Sequence, residues 1–480
     1  MIETHVSWVT LIGDRAYKRK KPVRTAFLDF STPELRRLAC EEEVRVNRRL
    51  APDVYLGVEP VVGCTGDIVD YVVSMRRMPA ERRLSALVAS GADVGDALRQ
   101  IAHRVAVLHL NGNRSSVADL AASAGATLAR WEANDDELAP LAYLLADPGL
   151  PARAVALARV YVAGKHRLFA ERVQAGRAVD GHGDLLADDI FVLPDGPRIL
   201  DALEFDTRLR VGDGLADIAF LAMDLERLGS PQLARRLLRW YADFAADRWP
   251  ASLSHFHIAY RAQVRAKVAC LRAAQEQRTD APEADALLRL AVSHLEAGRC
   301  ALIVVGGPPA TGKTTVAATL GARRDAVVLR SDEIRKELAL LTATTRIESP
   351  LGAGIYSPTM TALTYGELLR RAGELLAEGE SVVLDATWGD PMWRTEARRV
   401  AERLSADLIE LRCALPVPEA SERARCRRDG RDASDAGPEI AAALAERFAP
   451  WPEAVVVDTK GPRDQAADVA VRAVARAAAA

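Results

Sequence analysis

The sequence is short of cysteine, of aromatic rings and of net charge, and it has no long apolar run. Its six cysteines (40, 64, 270, 300, 413 and 426) are scattered, with no CxxC pair and none of the spacings of a disulfide framework. Aromatic residues are 5% of the chain. Outside one arginine-rich segment near the C-terminus no basic stretch is interleaved with them, so no stacking groove for nucleic acid is expected. With 64 Lys plus Arg against 66 Asp plus Glu the net charge is -2, which leaves no general footprint for nucleic acid or an anionic membrane. The apolar stretch Cys300 to Gly312 is broken by Gly and Pro and falls short of the roughly 20 residues a membrane helix needs. Met1-Ile2-Glu3-Thr4-His5 lacks the basic and then apolar regions of a signal peptide, so a reduced, cytoplasmic compartment is expected.

What is present is the composition of a soluble globular protein, 49% hydrophobic and 27% charged. At 480 residues the chain exceeds what one core usually serves, which predicts two or three domains. Strand formers at His5–Ile12 and Ala16–Lys20 flank Gly13-Asp14, a two-residue hairpin turn. Thr32-Pro33-Glu34 reads as an N-cap with proline at the first helical position, opening a helix toward Leu50. Tyr55–Val62 and Ile68–Met75 read as strands, and a helical pattern follows from about Leu84 to Leu110. His103 and His109 lie in that apolar helix and read as packed core histidines. A second hairpin is predicted where Phe191–Leu193 and Arg198–Leu203 flank Pro194-Asp195-Gly196. Helices are expected again from Gly212 to about Leu295, with a domain boundary in the polar stretch 275–282. From Ala301 onward, short apolar strands near 301–305, 326–329, 381–384, 408–411 and 454–457 alternate with helical segments, the pattern of a parallel sheet covered by helices. The Ala-rich end reads as a closing helix.

Gly307-Pro308-Pro309-Ala310-Thr311-Gly312-Lys313-Thr314 fits G-x-x-x-x-G-K-[ST], between the first of those strands and a helix that continues through Thr315. In such a loop the glycines let backbone N–H groups turn toward a phosphate, and the helix N-terminus adds positive potential. Lys313 is then placed to bridge β- and γ-phosphates and Thr314 to ligate Mg²⁺. Downstream, Val382-Val383-Leu384-Asp385 ends a strand with a carboxylate suited to orienting the metal. Ala386 follows where many mechanical ATPases carry Glu, and no T/N-K-x-D guanine-reading motif appears in the C-terminal half. Ser331-Asp332-Glu333-Ile334-Arg335 puts Asp332 where a general base could face a substrate hydroxyl, with Arg335 one turn on to hold a phosphate or another anion. The plainer reading makes Ser331 a helix N-cap and Asp332 a first-turn charge. Arg423, Arg427 and Arg431 recur every four residues beside Arg428, so on a helix they share a face, as a lid over ATP needs; a solvated basic face has the same spacing.

On these residues, with Asp385-Ala386-Thr387-Trp388 and Arg394 in the same order, the segment 300–460 resembles the P-loop kinase family that includes gluconate kinases, the kinase domain of polynucleotide kinases and the zeta toxins. The resemblance implies phosphoryl transfer from ATP to a hydroxyl with Asp332 as base, and leaves the acceptor open.

A second constellation lies upstream. His182-Gly183-Asp184-Leu185-Leu186-Ala187-Asp188-Asp189 leads into Ile190-Phe191-Val192-Leu193, and the hairpin returns to Asp201. In the kinase pattern H-x-D-x-x-x-x-N the Asp accepts the substrate proton, the residue five later ligates a metal, and an Asp after the next strand holds Mg²⁺. Asp184, Asp189 and Asp201 stand in those places. This resembles the aminoglycoside phosphotransferase (choline kinase-like) superfamily, whose usual loop reads His-Gly-Asp-Leu-His-x-x-Asn. Leu186 replaces the second His and Asp189 replaces Asn. Aspartate keeps a hard oxygen ligand but adds negative charge beside Asp184 and Asp201, so tighter metal dependence and lost activity are both open. Tyr17-Lys18-Arg19-Lys20 offers the phosphate-pairing lysine and Glu41 to Glu43 its partner, with Lys18 and Glu43 favoured. Only Gly13 stands where a glycine-rich loop would be. Met75 falls where a hinge contacts adenine, and Asp217-Ile218-Ala219-Phe220-Leu221 resembles the segment whose Asp braces the catalytic loop.

The expected architecture is a mixed α/β and α+β tandem. A two-lobed protein-kinase-like (aminoglycoside phosphotransferase) domain at 1–285, with a small lobe at about 1–78 and a helical lobe at about 79–285, precedes a P-loop kinase domain at 298–480 whose parallel sheet is flanked by helices. This pairing resembles bacterial proteins that combine a phosphotransferase with an ATP-binding domain. The expected cofactors are ATP and Mg²⁺ and the expected partner a small-molecule hydroxyl acceptor, with no nucleic acid and no membrane. Two arrangements follow: a bifunctional phosphotransferase, or one P-loop kinase regulated by a degenerate N-terminal sensor, which Asp189 permits.

Overall fold

The computed structural model describes residues 2–3, 6–24, 29–112, 114–342, 345, 352–426 and 438–479. The chain divides into two compact units, one of residues 1–155, 169–249 and 254–294, the other of 156–168, 250–253 and 295–480. Among the described residues no helix is long and apolar enough to cross a membrane.

The first unit opens with an antiparallel sheet of β1 (Ile2–Glu3), β2 (Ser7–Ile12), β3 (Arg15–Lys20), β4 (Tyr55–Val62) and β5 (Ile68–Arg76), in the order β1-β2-β3-β5-β4. Ile12 pairs with Arg15, so Gly13-Asp14 is the two-residue turn, and Gly13 has the positive φ of 57° that such a turn demands. Helix α1 (Pro33–Asn47) is inserted between β3 and β4; the Thr32 hydroxyl accepts from the Leu35 N–H, and Pro33 sits in the first turn. Its buried Cys40 and Val44 pack with Val54, just before β4, with Tyr55 and Val73 of the sheet, and with Phe191 and Leu200 of the helical part that follows. Arg36 of the same helix bonds the buried Asp70 of β5 at 2.7 Å, which Arg19 of β3 also reaches at 2.6 Å.

The helical lobe starts with α2 (Leu84–Ala89) and α3 (Gly95–Leu110). Within it β6 (Ala178–Asp180) pairs with β9 (Val211–Asp213), and β7 (Ile190–Leu193) pairs with β8 (Gly196–Ile199) around the turn Pro194-Asp195. The polar stretch 276–281 joins the helices Ala251–Gln275 and Pro282–Ala297. His109 is buried, but His103 is exposed and lies edge-on to Phe244 at 5.0 Å. The expectation of a core position fails for His103, because six residues along a helix turn it away from the face that buries His109.

Two further histidines of this lobe make its stability depend on pH. Burial lowers the pKa of His257 to about 3, and burial together with His294 lowers that of His255 to about 4, the two rings meeting at 2.8 Å between Nδ1 atoms. Both stay neutral in the folded chain at pH values where an unfolded histidine, with pKa near 6.5, takes up a proton. The unfolded state then binds more protons, so stability falls as pH drops from about 6.5 toward 4. The urea midpoint is expected to be lower at pH 5 than at pH 7, and His257→Gln should flatten that slope.

The second unit is a parallel sheet of β10 (Ala301–Gly306), β11 (Val327–Arg330), β12 (Val382–Asp385), β13 (Asp407–Ala414) and β14 (Val455–Asp458), in the order β11-β12-β10-β13-β14. Both faces are covered, so the strands read as continuous apolar runs. Leu302 and Val304 pack to one side with Leu368, Leu376, Trp388 and Ala397. Ile303 and Val305 pack to the other with Val316, Leu320, Ala470 and Val474. The strand order reverses direction at β10, which puts the loop after it at the topological switch point where open α/β sheets bind ligands.

Candidate active sites

The loop 307–312 leaves the C-terminal end of β10 and enters the helix Lys313–Arg324. Gly307 has φ of 135°, and a Cβ there would lie 2.5 Å from the Cys413 carbonyl oxygen; Gly312 caps the helix at φ 87°. The N–H groups of Lys313, Thr314 and Thr315 form the first turn and have no intrahelical partner. Ala310 also takes a positive φ, 65°, and Thr311 Oγ1 donates to the Pro308 carbonyl at 2.8 Å. Lys313 Nζ donates to the same carbonyl at 2.9 Å, so its ammonium is curled over the loop. The Thr314 hydroxyl donates to Asp385 Oδ2 at 2.7 Å. Burial pushes the Asp385 carboxyl above its ordinary range, against the pull of Lys313 and of the Thr314 hydrogen bond. A glycine-lined cradle, free helix N–H groups and a hydroxyl paired to a strand-end carboxylate fit a nucleotide phosphate chain with a divalent cation.

Asp332 lies in the first turn of the helix Ser331–Leu338, which follows β11 directly. It makes no hydrogen bond or ion pair among the described residues, and its charge acts on Asp385 and on Tyr365. The capping residue is Arg330, with no side-chain hydrogen bond, so Ser331 is not the side-chain N-cap that the plainer reading required. Arg335 is buried; it donates to the Ile355 carbonyl at 2.9 Å and to Thr361 Oγ1 at 3.3 Å, and stacks over Tyr356 at 5.2 Å. Its Nε has no partner among the described residues. Arg394 is committed to backbone, donating to the carbonyls of Trp388, Pro450 and Ala449 at 2.7, 2.7 and 3.0 Å. Arg423 donates to the Thr459 carbonyl at 2.8 Å. Arg427, Arg428 and Arg431 lie outside the described residues.

In the first unit Lys18 and Lys20 project from the same side of β3, and both reach Glu43 of α1. Lys20 is fully buried, 2.5 Å from Glu43 and paired with Glu204 as well. Lys18 lies 2.9 Å from Glu43 and 2.5 Å from Asp201. Burial pulls the Lys18 pKa down, but Asp201 and Glu43 outweigh it and hold the ammonium well above the ordinary lysine range. Lys18 in turn holds the Asp201 carboxyl below its usual value. Met75 pairs with Tyr55 across β4 and β5 and is partly buried against the small-lobe core.

The loop that follows β6 is held from below. Asp217 accepts from the N–H groups of His182 and Gly183 at 2.7 and 2.8 Å and faces His109 Nε2 at 3.0 Å. Burial raises the Asp217 carboxyl, but the His109 hydrogen bond and the nearby cations carry it far below the usual range. Asp184 is pushed up to about 6 by burial, with Arg265 4.0 Å away as the main counterweight. Burial, Asp201 and Asp184 together push Asp189 well above its ordinary value. Among the described residues no set of three side chains is gathered closely enough to hold a metal by itself. The mutual pressure among Asp184, Asp189 and Asp201 is what a cation brought in with phosphates would relieve.

Asp217→Ala is expected to cost about 3–5 kcal/mol of stability, because it leaves two buried N–H groups and a buried histidine without their acceptor. Denaturant unfolding checks this, and hydrogen exchange should rise at His182 and Gly183.

Several participants were not singled out from the sequence. Glu204 pairs with Lys20, Asn47 brackets Ala202 by donating to its carbonyl and accepting from its N–H, and Tyr55 OH accepts from the Asp201 N–H at 3.1 Å. Thr459 Oγ1 ties the Thr311 carbonyl at 2.7 Å. Of these only Asn47 had a visible cue, standing four residues after Glu43 and so on the same helix face.

Residues 302–451 match the AAA domain family. The uncharacterized protein Rv2004c of Mycobacterium tuberculosis (strain ATCC 25618 / H37Rv) is 42% identical over 463 residues, 96% of this chain and 93% of that protein. The chain belongs to the Rv2004c family. A sugar kinase from Janibacter sp. HTCC2649 is similar to 38% of the chain and is itself covered over 97%, at 17% identity and a TM-score of 0.31. The GDP and kanamycin complex of APH(2")-IIia is similar to 61% of it, with 91% of that chain covered, at 14% identity and a TM-score of 0.38. This member of the Rv2004c family thus carries an AAA domain at residues 302–451, which includes the glycine-lined loop and Lys313.

Proposed function

We propose that the protein is an ATP-dependent phosphotransferase that moves the γ-phosphoryl of MgATP to a hydroxyl of a small molecule, with one site in each unit. The observation that carries the reading is in the second unit. A carboxylate with no partner among the described residues, Asp332, stands beside the Thr314–Asp385 pair and the phosphate loop, the arrangement that a base, a metal position and a phosphate cradle need in order to act together. Loop N–H groups and Lys313 hold the β- and γ-phosphates, Thr314 and Asp385 orient the cation, and Asp332 takes the proton of the acceptor hydroxyl. Mg²⁺ supplies charge neutralisation as the γ-phosphoryl leaves. Arg335, whose Nε has no partner among the described residues, and Arg423 and Arg427 stabilise anionic groups of acceptor and nucleotide.

In the first unit Lys18 is the phosphate lysine, oriented by Glu43, while the fully buried Lys20 is structural. Asp184 is the base, Asp189 and Asp201 hold the cation, and Met75 borders adenine. A second reading, a nucleotide or ligand sensor that regulates the P-loop kinase, is favoured by Lys18 bonding Asp201 directly and by the extra carboxylate at 189. The five described cysteines assigned as free thiols suit the reducing cytoplasm proposed as its compartment. A screen of sugars, sugar acids, amino alcohols, aminoglycosides and nucleosides for acceptor-dependent ADP release tests the reading. No release above the solvent background with any hydroxyl acceptor would count against it.

A further inference from the structure

A cavity of about 530 Å³ opens against α1 and α3 and takes no part in either phosphoryl-transfer arrangement. Arg45 and Arg49, which line it, follow Glu43 and Asn47 by two residues. For Arg45 that is about 200° around the helix, so it projects away from the face that carries the lysine partner, while Arg49 lies in the turn just past the helix end. Arg104 of α3 lines the cavity as a third guanidinium, and it makes no hydrogen bond or ion pair among the described residues. Leu50, Val107 and Leu108 supply an apolar wall. Asp180 is the one carboxylate among the described lining residues, and it is already bonded by Arg210 at 2.5 Å and Arg49 at 3.3 Å. Three guanidiniums against one lining carboxylate give a formal +2; Arg45 is already paired with Glu42 at 2.6 Å, which leaves Arg104 as the guanidinium with no partner among the described residues.

We propose that this cavity binds a small organic phosphate, a phosphomonoester of about sugar size, and that its occupancy is felt by the catalytic loop of the first unit. Forked guanidiniums pair with two phosphate oxygens at once, the apolar wall accommodates a carbon skeleton, and the volume lies within the range of small-ligand pockets. The route to the loop is short. Arg49 donates to the Gly181 carbonyl at 2.7 Å and to the Asp180 carbonyl at 3.2 Å, immediately before His182-Gly183-Asp184. A dianion seated between Arg49 and Arg104 redistributes the Arg49 charge that these carbonyls share, so the ligand and the position of Asp184 are linked.

The test uses the full chain with a non-hydrolysable ATP analogue and Mg²⁺ at saturation, so that the phosphate loop is filled. Calorimetric titration with inorganic phosphate, ribose 5-phosphate and glucose 6-phosphate, with glucose as the neutral control, is expected to show at least one phosphomonoester binding below about 1 mM and glucose not binding. Arg104→Ala and, separately, Arg45→Ala should each weaken that binding at least tenfold while leaving affinity for the ATP analogue unchanged. Hydrogen exchange at residues 180–184 should change on addition of the phosphomonoester. Absence of binding by all three phosphates, or binding that survives both substitutions, overturns the site; unchanged exchange at 180–184 overturns the link to the loop.

Discussion

Lys313→Ala and Asp184→Asn are expected to remove different activities from one protein. The Lys313 ammonium rests on the Pro308 carbonyl and is only part-buried, so its loss leaves the core of the second unit in place while the phosphate loop loses its ammonium. MgATP affinity of that loop should fall steeply, and the activity that depends on it should disappear. Asp184 belongs to a separate set of residues, with Arg265 and Asp189 as neighbours in the first unit. Its amide has the same shape and carries no charge, so the first site keeps its outline and loses its base; turnover there should drop by roughly 10²- to 10⁴-fold. Acceptor-dependent ADP release, measured on two acceptors found by screening, should show each variant sparing what the other abolishes. If both substitutions instead act on one activity, the first unit is a regulator. If MgATP titrated into Lys313→Ala shows nothing at the first unit under Mg²⁺ or Mn²⁺, Asp189 marks a site that has ceased to hold nucleotide.

Asp332→Asn should separate binding from chemistry in the second unit. The side chain caps no helix and bonds no described residue, so the substitution disturbs neither the fold nor the phosphate loop. It also removes a negative charge that presses on the buried Asp385, which eases nucleotide binding. Nucleotide affinity is expected to be unchanged or slightly tighter, while kcat falls by roughly 10²- to 10⁴-fold for loss of a general base. Calorimetry and steady-state rates on the same preparation decide it. A variant with near-normal kcat on its acceptor would reduce Asp332 to a surface charge.

What could be read from the sequence follows the range over which each feature is encoded. The phosphate loop was legible because its cradle is contiguous, and the strand before it and helix after it carry their own periodicity. The hairpins were legible because Gly13-Asp14 and Pro194-Asp195 dictate their turns locally. The choice between Lys18 and Lys20 was not, since residues two apart on a strand face the same side. Their difference comes from Glu204, which approaches from 184 residues away and seals Lys20 from solvent. Asp217 gave a cue only through resemblance, because the two N–H groups it accepts from lie 34 and 35 residues earlier. His103 was misplaced because composition marks a helix as apolar before it says which stripe is inside.

The bond from Lys18 to Asp201 gives the resting first unit a property of its own. The ammonium already serves as the counter-ion of a carboxylate that any incoming cation would have to claim. In the proposed site, arrival of a metal–nucleotide pair would be an exchange of partners and not the filling of a vacant cleft: Lys18 would release Asp201 to take phosphate, and Asp201 would be left to hold the cation. Departure of product would reverse the exchange and restore the clasp. The strand that carries Lys18 and the hairpin that leads to Asp201 would thus stay tethered through such a cycle, by Lys18 at rest and by the metal–nucleotide pair when it is bound.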